Sequence, residues 1–127
     1  MKLLLGLMLL MTAGAASAEW MRSGDNDEHI QYVDRATIRR NGNFVKMWSL
    51  ADFKKVKVTG GKSNLSLRSQ QEYDCKEERI RTLAITTFSG QMGSGTVNYF
   101  DSDTEKWIPV PPRSIAETMW KIACGKK

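Results

Sequence analysis

The chain has 127 residues, of which 41% are hydrophobic and 26% are charged, and its formal net charge is +5 at pH 7. This length predicts one small domain, and no internal repeat or low-complexity tract divides it. The basic excess is mild and evenly spread, so it favours acidic surfaces without indicating a nucleic acid partner. A zinc site needs three or four ligands at short spacings, and the sequence contains no such cluster.

The beginning of the chain has the layout of a secretory signal peptide. Lys2 supplies a basic residue, an apolar run follows from Leu3 to Met11, and Ala16-Ser17-Ala18 offers small residues before a cut. The apolar run is too short to span about 30 Å of hydrocarbon. We therefore expect cleavage after Ala18, export to the periplasm, the cell surface or the medium, and a mature domain of residues 19–127.

Short β-prone runs follow at Ile30–Val33 and Ala36–Ile38. Asn41-Gly42 then precedes a longer run, Phe44–Leu50, and Asn-Gly between two strand-like segments predicts a hairpin with a type I′ turn. The longer run carries apolar side chains on both faces. We expect it to be a central strand that is partly covered on both sides.

Strand character continues over Asp52–Val58, and a loop at Thr59–Asn64 ends it. From Leu65 to Cys75 the odd positions hold two leucines, a serine, a glutamine, a tyrosine and the cysteine, whereas the even positions are all polar. This period of two predicts a strand with one face on the core and one face in water. Cys75 belongs to the set that faces the core.

Two further strands are expected at Arg79–Phe88 and Thr96–Phe100, joined by a flexible glycine-rich loop, Ser89–Gly95. Prolines in Trp107–Pro112 predict an extended stretch that takes no position in a strand ladder. Beyond them, the capping box of Ser114 and the glutamate three positions later predicts a helix from Ile115 to Cys124. A glycine directly after this segment suits the helix end.

The two cysteines link the helix to the sheet. In an oxidising compartment, the lone pair Cys75 and Cys124 is expected to form a disulfide. The predicted fold is α+β and mostly β. It is an antiparallel sheet of about five to six strands, with one C-terminal helix packed on it and tethered by that disulfide.

Catalytic side chains are scarce in this sequence. His29 lies beside acidic residues in an expected polar loop, and both cysteines are expected to be oxidised, so no general base or thiol nucleophile is indicated. Asp25–Glu28 resembles part of a calcium loop but lacks its turn glycine and distant glutamate. We therefore expect no enzyme, no metal site and no cofactor.

Binding residues are better represented than catalytic ones. Five basic residues form a candidate ligand-binding set for an acidic partner: Lys54, Lys55, Lys57, Lys62 and Arg68. Charged residues on edge strands also prevent those strands from pairing with another chain, and this alternative stays open. Trp20 and Trp107 are candidates for partly exposed aromatics, which are common at binding surfaces, whereas the other two tryptophans are expected in the core.

Four stretches together resemble the surface-adhesin protein E family of exported bacterial proteins: Tyr32–Ile38, Ser66–Cys75, Gly93–Gly95 and Trp107–Cys124. The resemblance covers most of the mature chain and implies an antiparallel sheet crossed by a helix that the two cysteines hold. It also implies a dimeric, non-enzymatic adhesin that engages host matrix proteins such as vitronectin and laminin. The contact would be a basic segment in which Arg68 matches an arginine and Lys62 lies near a basic pair.

Two other functions remain open from the sequence. Small disulfide-linked β domains also serve as periplasmic inhibitors or envelope accessory proteins. A carrier of a small ligand, such as haem or a lipid, is the third alternative, although a single histidine argues against tight haem ligation. All three functions act by binding. The adhesin and the inhibitor or accessory protein would bind a protein partner.

Overall fold

The computed structural model describes residues 18–127, so the predicted signal peptide, apart from Ala18, lies outside the described residues. The described chain forms a seven-stranded antiparallel sheet and one α-helix. The strands are β1 (Met21–Asp25), β2 (His29–Asn41), β3 (Phe44–Thr59), β4 (Lys62–Asp74), β5 (Arg79–Phe88), β6 (Val97–Asp101) and β7 (Ile108–Pro109), and the helix is α1 (Ile115–Cys124).

The sheet is a meander, because β1 to β5 each pair with the next strand in the sequence. The short β7 pairs with the beginning of β5, whereas β6 pairs with its end, so the two strands share one edge of β5. Connections this short favour antiparallel neighbours. The predicted fold class is confirmed.

The helix has the predicted bounds and the predicted ends. Ser114 Oγ accepts a hydrogen bond from the Glu117 backbone N–H at 3.1 Å, which satisfies one of the free donors of the first turn. Gly125 follows in the left-handed region with φ 67°, where a residue without Cβ is favoured. Lys121 and Glu117 form an ion pair along the exposed side at 3.4 Å.

The core lies between α1 and one face of the sheet, which we call the inner face. The helix contributes its buried apolar side, and the sheet contributes side chains from four strands: Val33, Val45, Met47, Tyr73 and Ile80, against Met119, Trp120, Ala123 and Cys124. Trp120 Nε1 also donates to the backbone oxygen of Asp74 at 2.9 Å. The disulfide Cys75–Cys124 is present, with an S–S distance of 2.07 Å, and its prediction is confirmed.

Two turns differ from the sequence-based expectation. Asn41 pairs with Phe44, so Gly42 and Asn43 form the first hairpin loop, and only Gly42 has a positive φ. The predicted type I′ turn centred on Asn41-Gly42 is therefore wrong, because glycine at the first central position suits a type II′ turn. The second hairpin is tighter than predicted, since Gly60-Gly61 alone joins β3 to β4.

The predicted wet face of β4 is also wrong in part. On the face opposite α1, which we call the outer face, Ser66, Glu72 and Asp74 are buried although they are polar. Each has partners that the alternation does not reveal: Asp74 binds Arg79, Glu72 binds Arg81, and Ser66 binds the loop after β5.

That glycine-rich loop is fastened to the sheet, in contrast to the flexible connection we predicted. Ser66 Oγ donates to Gly90 O at 2.7 Å and accepts from the Gly93 N–H at 2.9 Å. The Met92 N–H donates to Asp52 Oδ1 at 2.8 Å. A single 3-10 turn, Gln91–Gly93, thereby closes over this end of the outer face.

The proline stretch differs as well, because Pro109 takes a ladder position opposite Arg79. The exclusion of this residue from pairing was wrong. Proline is tolerated there because β7 is an edge strand of two residues.

Candidate binding site

A bulge in β2 shapes the middle of the outer face. Asp34 pairs with Trp48, and the register then shifts before Arg39 pairs again with β3. Asp34 Oδ1 accepts from the Ala36 N–H at 3.1 Å, and Thr37 Oγ1 donates to Asp34 O at 2.6 Å while it accepts from the Trp48 N–H at 2.9 Å. These side chains satisfy backbone groups that lose their ladder partners in the bulge.

Arg68 lies beside this bulge with its guanidinium held by two aromatic rings. Its Cζ is 5.5 Å from the ring centroid of Trp48 and 5.2 Å from that of Phe88. Within residues 18–127, no carboxylate lies within ion-pair distance of Arg68. The rings therefore orient a cation whose N–H donors remain directed to solvent or to a ligand.

An open cavity of about 590 Å³ adjoins this arginine. We call it the arginine–aromatic groove, and it is lined by Ala18, Glu19, Trp20, Asp34, Ala36, Thr37, Trp48 and Arg68. The volume lies in the range of about 300–1,000 Å³ that is typical of ligand pockets. The lining is mostly apolar and carries one cation, Arg68, together with the carboxylates of Glu19 and Asp34. Asp34 is engaged by the Ala36 N–H, and neither carboxylate pairs with Arg68, so the guanidinium can bind an anionic group beside an apolar body.

The four lysines of the predicted binding set lie elsewhere, on the β3–β4 hairpin. Lys54 forms an ion pair with Asp25 at 2.6 Å, and Lys57 forms one with Glu28 at 3.1 Å. The hydrogen bond from Lys54 holds the pKa of Asp25 below its ordinary value.

The remaining two lysines are less constrained than Lys54 and Lys57. Lys55 is exposed, and Lys62 Nζ donates to Asn98 O at 3.4 Å. The structure thus separates the predicted set into a hairpin group of lysines, half of it neutralised by ion pairs, and Arg68 in the groove.

A second aromatic cluster occupies the other end of the outer face. Trp107 lies over the guanidinium groups of Arg79 and Arg81, at 5.0 Å and 4.4 Å, and packs near Phe44 at 5.6 Å between ring centroids. Both arginines are already paired with carboxylates of β4. This cluster therefore covers buried charges and differs from Arg68, which keeps its donors free.

One of the four tryptophans is more exposed than we predicted. Trp20 and Trp107 are half-buried, as expected, but Trp48 is half-buried too, and only Trp120 is buried among the four. Trp48 was assigned to the core from its strand, and its role beside Arg68 was missed. The sequence pattern places Trp48 on the same strand face as Leu50, but only the β3–β4 register, in which Leu50 pairs with Arg68, brings Arg68 to that face.

The other candidates for chemistry do not form a site. His29 begins β2 and is half-buried, with Nε2 at 3.1 Å from Gln31 Oε1, so its placement in a polar loop was wrong. Asn26 Oδ1 accepts from the N–H groups of Glu28 and His29, which makes the acidic stretch a tight turn. In the described part of the chain, no three histidine, cysteine or acidic side chains are grouped to hold a metal.

The fold and the groove define a small disulfide-linked β domain with a helix across one face and an open arginine–aromatic surface on the other. A family model, Surface-adhesin protein E, matches residues 20–125. The chain therefore belongs to this family of surface adhesins and is an exported protein. No helix within residues 18–127 has the length and apolar character needed to cross a membrane.

Solved structures show the same fold. A crystal structure of protein E from non-typeable Haemophilus influenzae has 13% identity and a TM-score of 0.63, with 88% of this chain and 79% of that chain covered. Crystal form II of Haemophilus influenzae protein E has 12% identity and a TM-score of 0.61, with 81% and 91% covered. Among curated proteins, none matches the sequence.

Proposed function

We propose that this protein is a non-enzymatic binding module that engages a protein partner through the arginine–aromatic groove. The position of the Arg68 guanidinium over the rings of both Trp48 and Phe88 is the observation that supports this function. Arginine and tryptophan are over-represented among the residues that dominate protein interfaces, because they bury large areas and make directed hydrogen bonds. A guanidinium that is oriented in advance loses less entropy when it binds.

The partner that fits this groove presents a carboxylate beside an apolar or aromatic side chain. Arg68 would bind the carboxylate with two parallel N–H donors, and Trp20 and Trp48 would contact the apolar part. Lys55 and Lys62 lie on the hairpin and would strengthen the attraction of an acidic surface over a longer range. Family membership favours a host matrix protein such as vitronectin or laminin as this partner.

Signal peptide cleavage after Ala18 would remove Ala18 from the lining of the groove and would create a new chain terminus at Glu19. Glu19 lines the groove, so the cut would place the new α-amino group of the mature chain at its rim. At neutral pH this group carries substantial positive charge. Intact mass of the exported protein would identify the cut, and a mature chain that begins elsewhere would remove this contribution.

The test is a binding titration of the mature protein on immobilised vitronectin and laminin. Arg68→Ala should weaken binding at least about tenfold, and Arg68→Lys should weaken it nearly as much because an ammonium group lacks the planar stack. The matched control is Lys76→Ala, which removes one charge from an exposed turn and should leave the affinity within about twofold.

Four results would contradict the proposal. The absence of wild-type binding would remove the adhesive function. Equal losses in Arg68→Ala and Lys76→Ala would show that net charge, and not the groove, controls binding. Stoichiometric recovery of one resident enzyme in a pull-down from periplasmic extract would favour the inhibitor alternative, and protection from protease on intact cells would point the same way.

A further inference from the structure

A second cavity, of about 380 Å³, lies between the tip of the β3–β4 hairpin and β6. We propose that it binds an acidic saccharide unit, that is, a sugar ring carrying a carboxylate. The residues that carry this inference are Lys62, Asn64, Thr87, Asn98 and Tyr99, and none of them lines the arginine–aromatic groove. Lys62 also contributes long-range attraction in the function proposed above, whereas the other four residues have no part in it.

The side chains of Asn64 and Asn98 hold the two walls of this cavity together. Asn98 Nδ2 donates to Asn64 Oδ1 at 2.9 Å and to Ser63 O at 3.0 Å, so the hairpin tip is attached to β6. Both donors of this amide are used, whereas no donor among residues 18–127 reaches its Oδ1. A rigid amide with a free acceptor suits a hydroxyl group of a ligand.

The hydroxyl group of Thr87 provides a second polar contact. Its oxygen is buried, and within residues 18–127 it has no hydrogen-bond partner. Buried polar atoms are usually paired, so each exception calls for an explanation. This oxygen has almost no exposed surface, so a ligand hydroxyl in the cavity would reach it once the Thr87 side chain rotates toward the cavity. The pairing would then be complete, since a threonine hydroxyl can both donate and accept.

The charge of Lys62 and the ring of Tyr99 favour a sugar that carries a carboxylate. Lys62 contributes an ammonium group whose protein contact is a long hydrogen bond to Asn98 O, at 3.4 Å, and no aspartate or glutamate lines the cavity. The ring of Tyr99 is exposed at the rim, and the hydrogen bond from its hydroxyl to Asp101 Oδ2, at 3.2 Å, restrains it. The negative face of such a ring attracts the C–H groups of a pyranose.

The decisive experiment titrates the isotope-labelled protein with glucuronate, N-acetylneuraminate and glucose, and follows backbone and side-chain amide signals by NMR. Saturable shifts at Asn64, Asn98 and the backbone near Thr87 are expected with at least one acid, and glucose should bind at least about tenfold more weakly because it lacks the carboxylate. The two acids distinguish a uronate-type unit from a sialate-type unit.

Two variants separate binding from folding. Thr87→Val keeps the side-chain shape and removes an unpaired hydroxyl, so it should leave the unfolding midpoint unchanged or raised while it weakens the acid at least about threefold. Lys62→Gln should reduce the preference for the acid over glucose. Arg68→Ala should leave saccharide binding unchanged, which separates this site from the groove.

Three outcomes of the titration with the wild-type protein would overturn the inference. They are non-saturating shifts, shifts confined to other parts of the chain, and equal affinity for glucuronate, N-acetylneuraminate and glucose. Unchanged affinity in Thr87→Val would show that the buried hydroxyl does not contact the ligand and would also overturn it.

Discussion

Asp74 shows how a single buried carboxylate connects β4, the next turn and β5. It accepts hydrogen bonds from the backbone N–H groups of Lys76 (3.1 Å) and Glu77 (3.0 Å), and from the Arg79 guanidinium (2.7 Å). Burial acts to raise the pKa of this carboxyl, but the Arg79 hydrogen bond and the backbone donors outweigh it, and the pKa lies below its ordinary value.

Asp74→Asn should lower the free energy of unfolding by about 1–3 kcal/mol at pH 7, because the arginine loses its charged partner. A carboxyl whose pKa is depressed in the folded state stabilises the fold above the unfolded pKa of about 3.9 and loses this effect as the pH falls through the folded value. The difference between wild type and variant should therefore shrink below about pH 4. Urea unfolding at pH 7, 5 and 3 measures it, and the exposed Asp103→Asn is the control. A difference that stays constant with pH would contradict this account.

Residue alternation predicted one face of β4 better than the other. Tyr73 and Cys75 face the core as expected, since apolar side chains at a period of two need no partner beyond the core itself. Glu72 and Asp74 were predicted to be wet and are buried. Their burial depends on Arg81 and Arg79 across the strand pair, and only the register brings these charges together.

At the scale of elements, one serine fastens the loop between β5 and β6. Ser66→Ala would remove two hydrogen bonds from this loop, the one to Gly90 O and the one from the Gly93 N–H. Unpaired buried groups cost about 1–3 kcal/mol each, so we expect a loss of that order and faster hydrogen exchange at Gly93. Ser63→Ala, on the exposed part of the same strand, should change neither quantity. Equal exchange rates in both variants would show that the loop is held by other contacts.

Elements with local signals were predicted well, and elements that depend on pairing were not. The helix is bounded by Ser114 and Gly125, whose effects act within one turn, and its predicted bounds are those of the structure. The strand Met21–Asp25 has no such signal and exists because it pairs with β2. Pro109 pairs with β5 because an edge position is available there. The number of prolines in this stretch does not show that such a position exists.

The whole molecule presents two different faces of one sheet. The order of the strands was predictable, because short turns between successive strands favour a meander. The groove was not, since it needs Trp20 from before β1, the β2 bulge at Asp34–Thr37 and Arg68 of β4 to meet on the outer face. The sequence predicted Arg68 as a binding residue, whereas the aromatic rings that orient it follow from the pairing of distant strands.

Removal of the disulfide tests whether these two faces are independent. Cys75 and Cys124 are 49 positions apart, and on the chain-entropy model a loop of this length is worth about 4 kcal/mol. Domains of this size have a total stability of about 5–15 kcal/mol, and Met119, Trp120 and Ala123 would still hold the helix on the core. The double variant Cys75→Ser with Cys124→Ser should therefore fold with a lower urea midpoint.

Binding through the groove should survive this change. The disulfide joins α1 to the inner side of the sheet, whereas Arg68, Trp48 and Phe88 make their contacts on the outer face. At a urea concentration where the double variant remains folded by circular dichroism, its affinity for the partner should equal that of wild type within about twofold. An affinity that falls together with the bridge, while the fold persists, would place the binding surface on the helix side and would remove the argument for the groove.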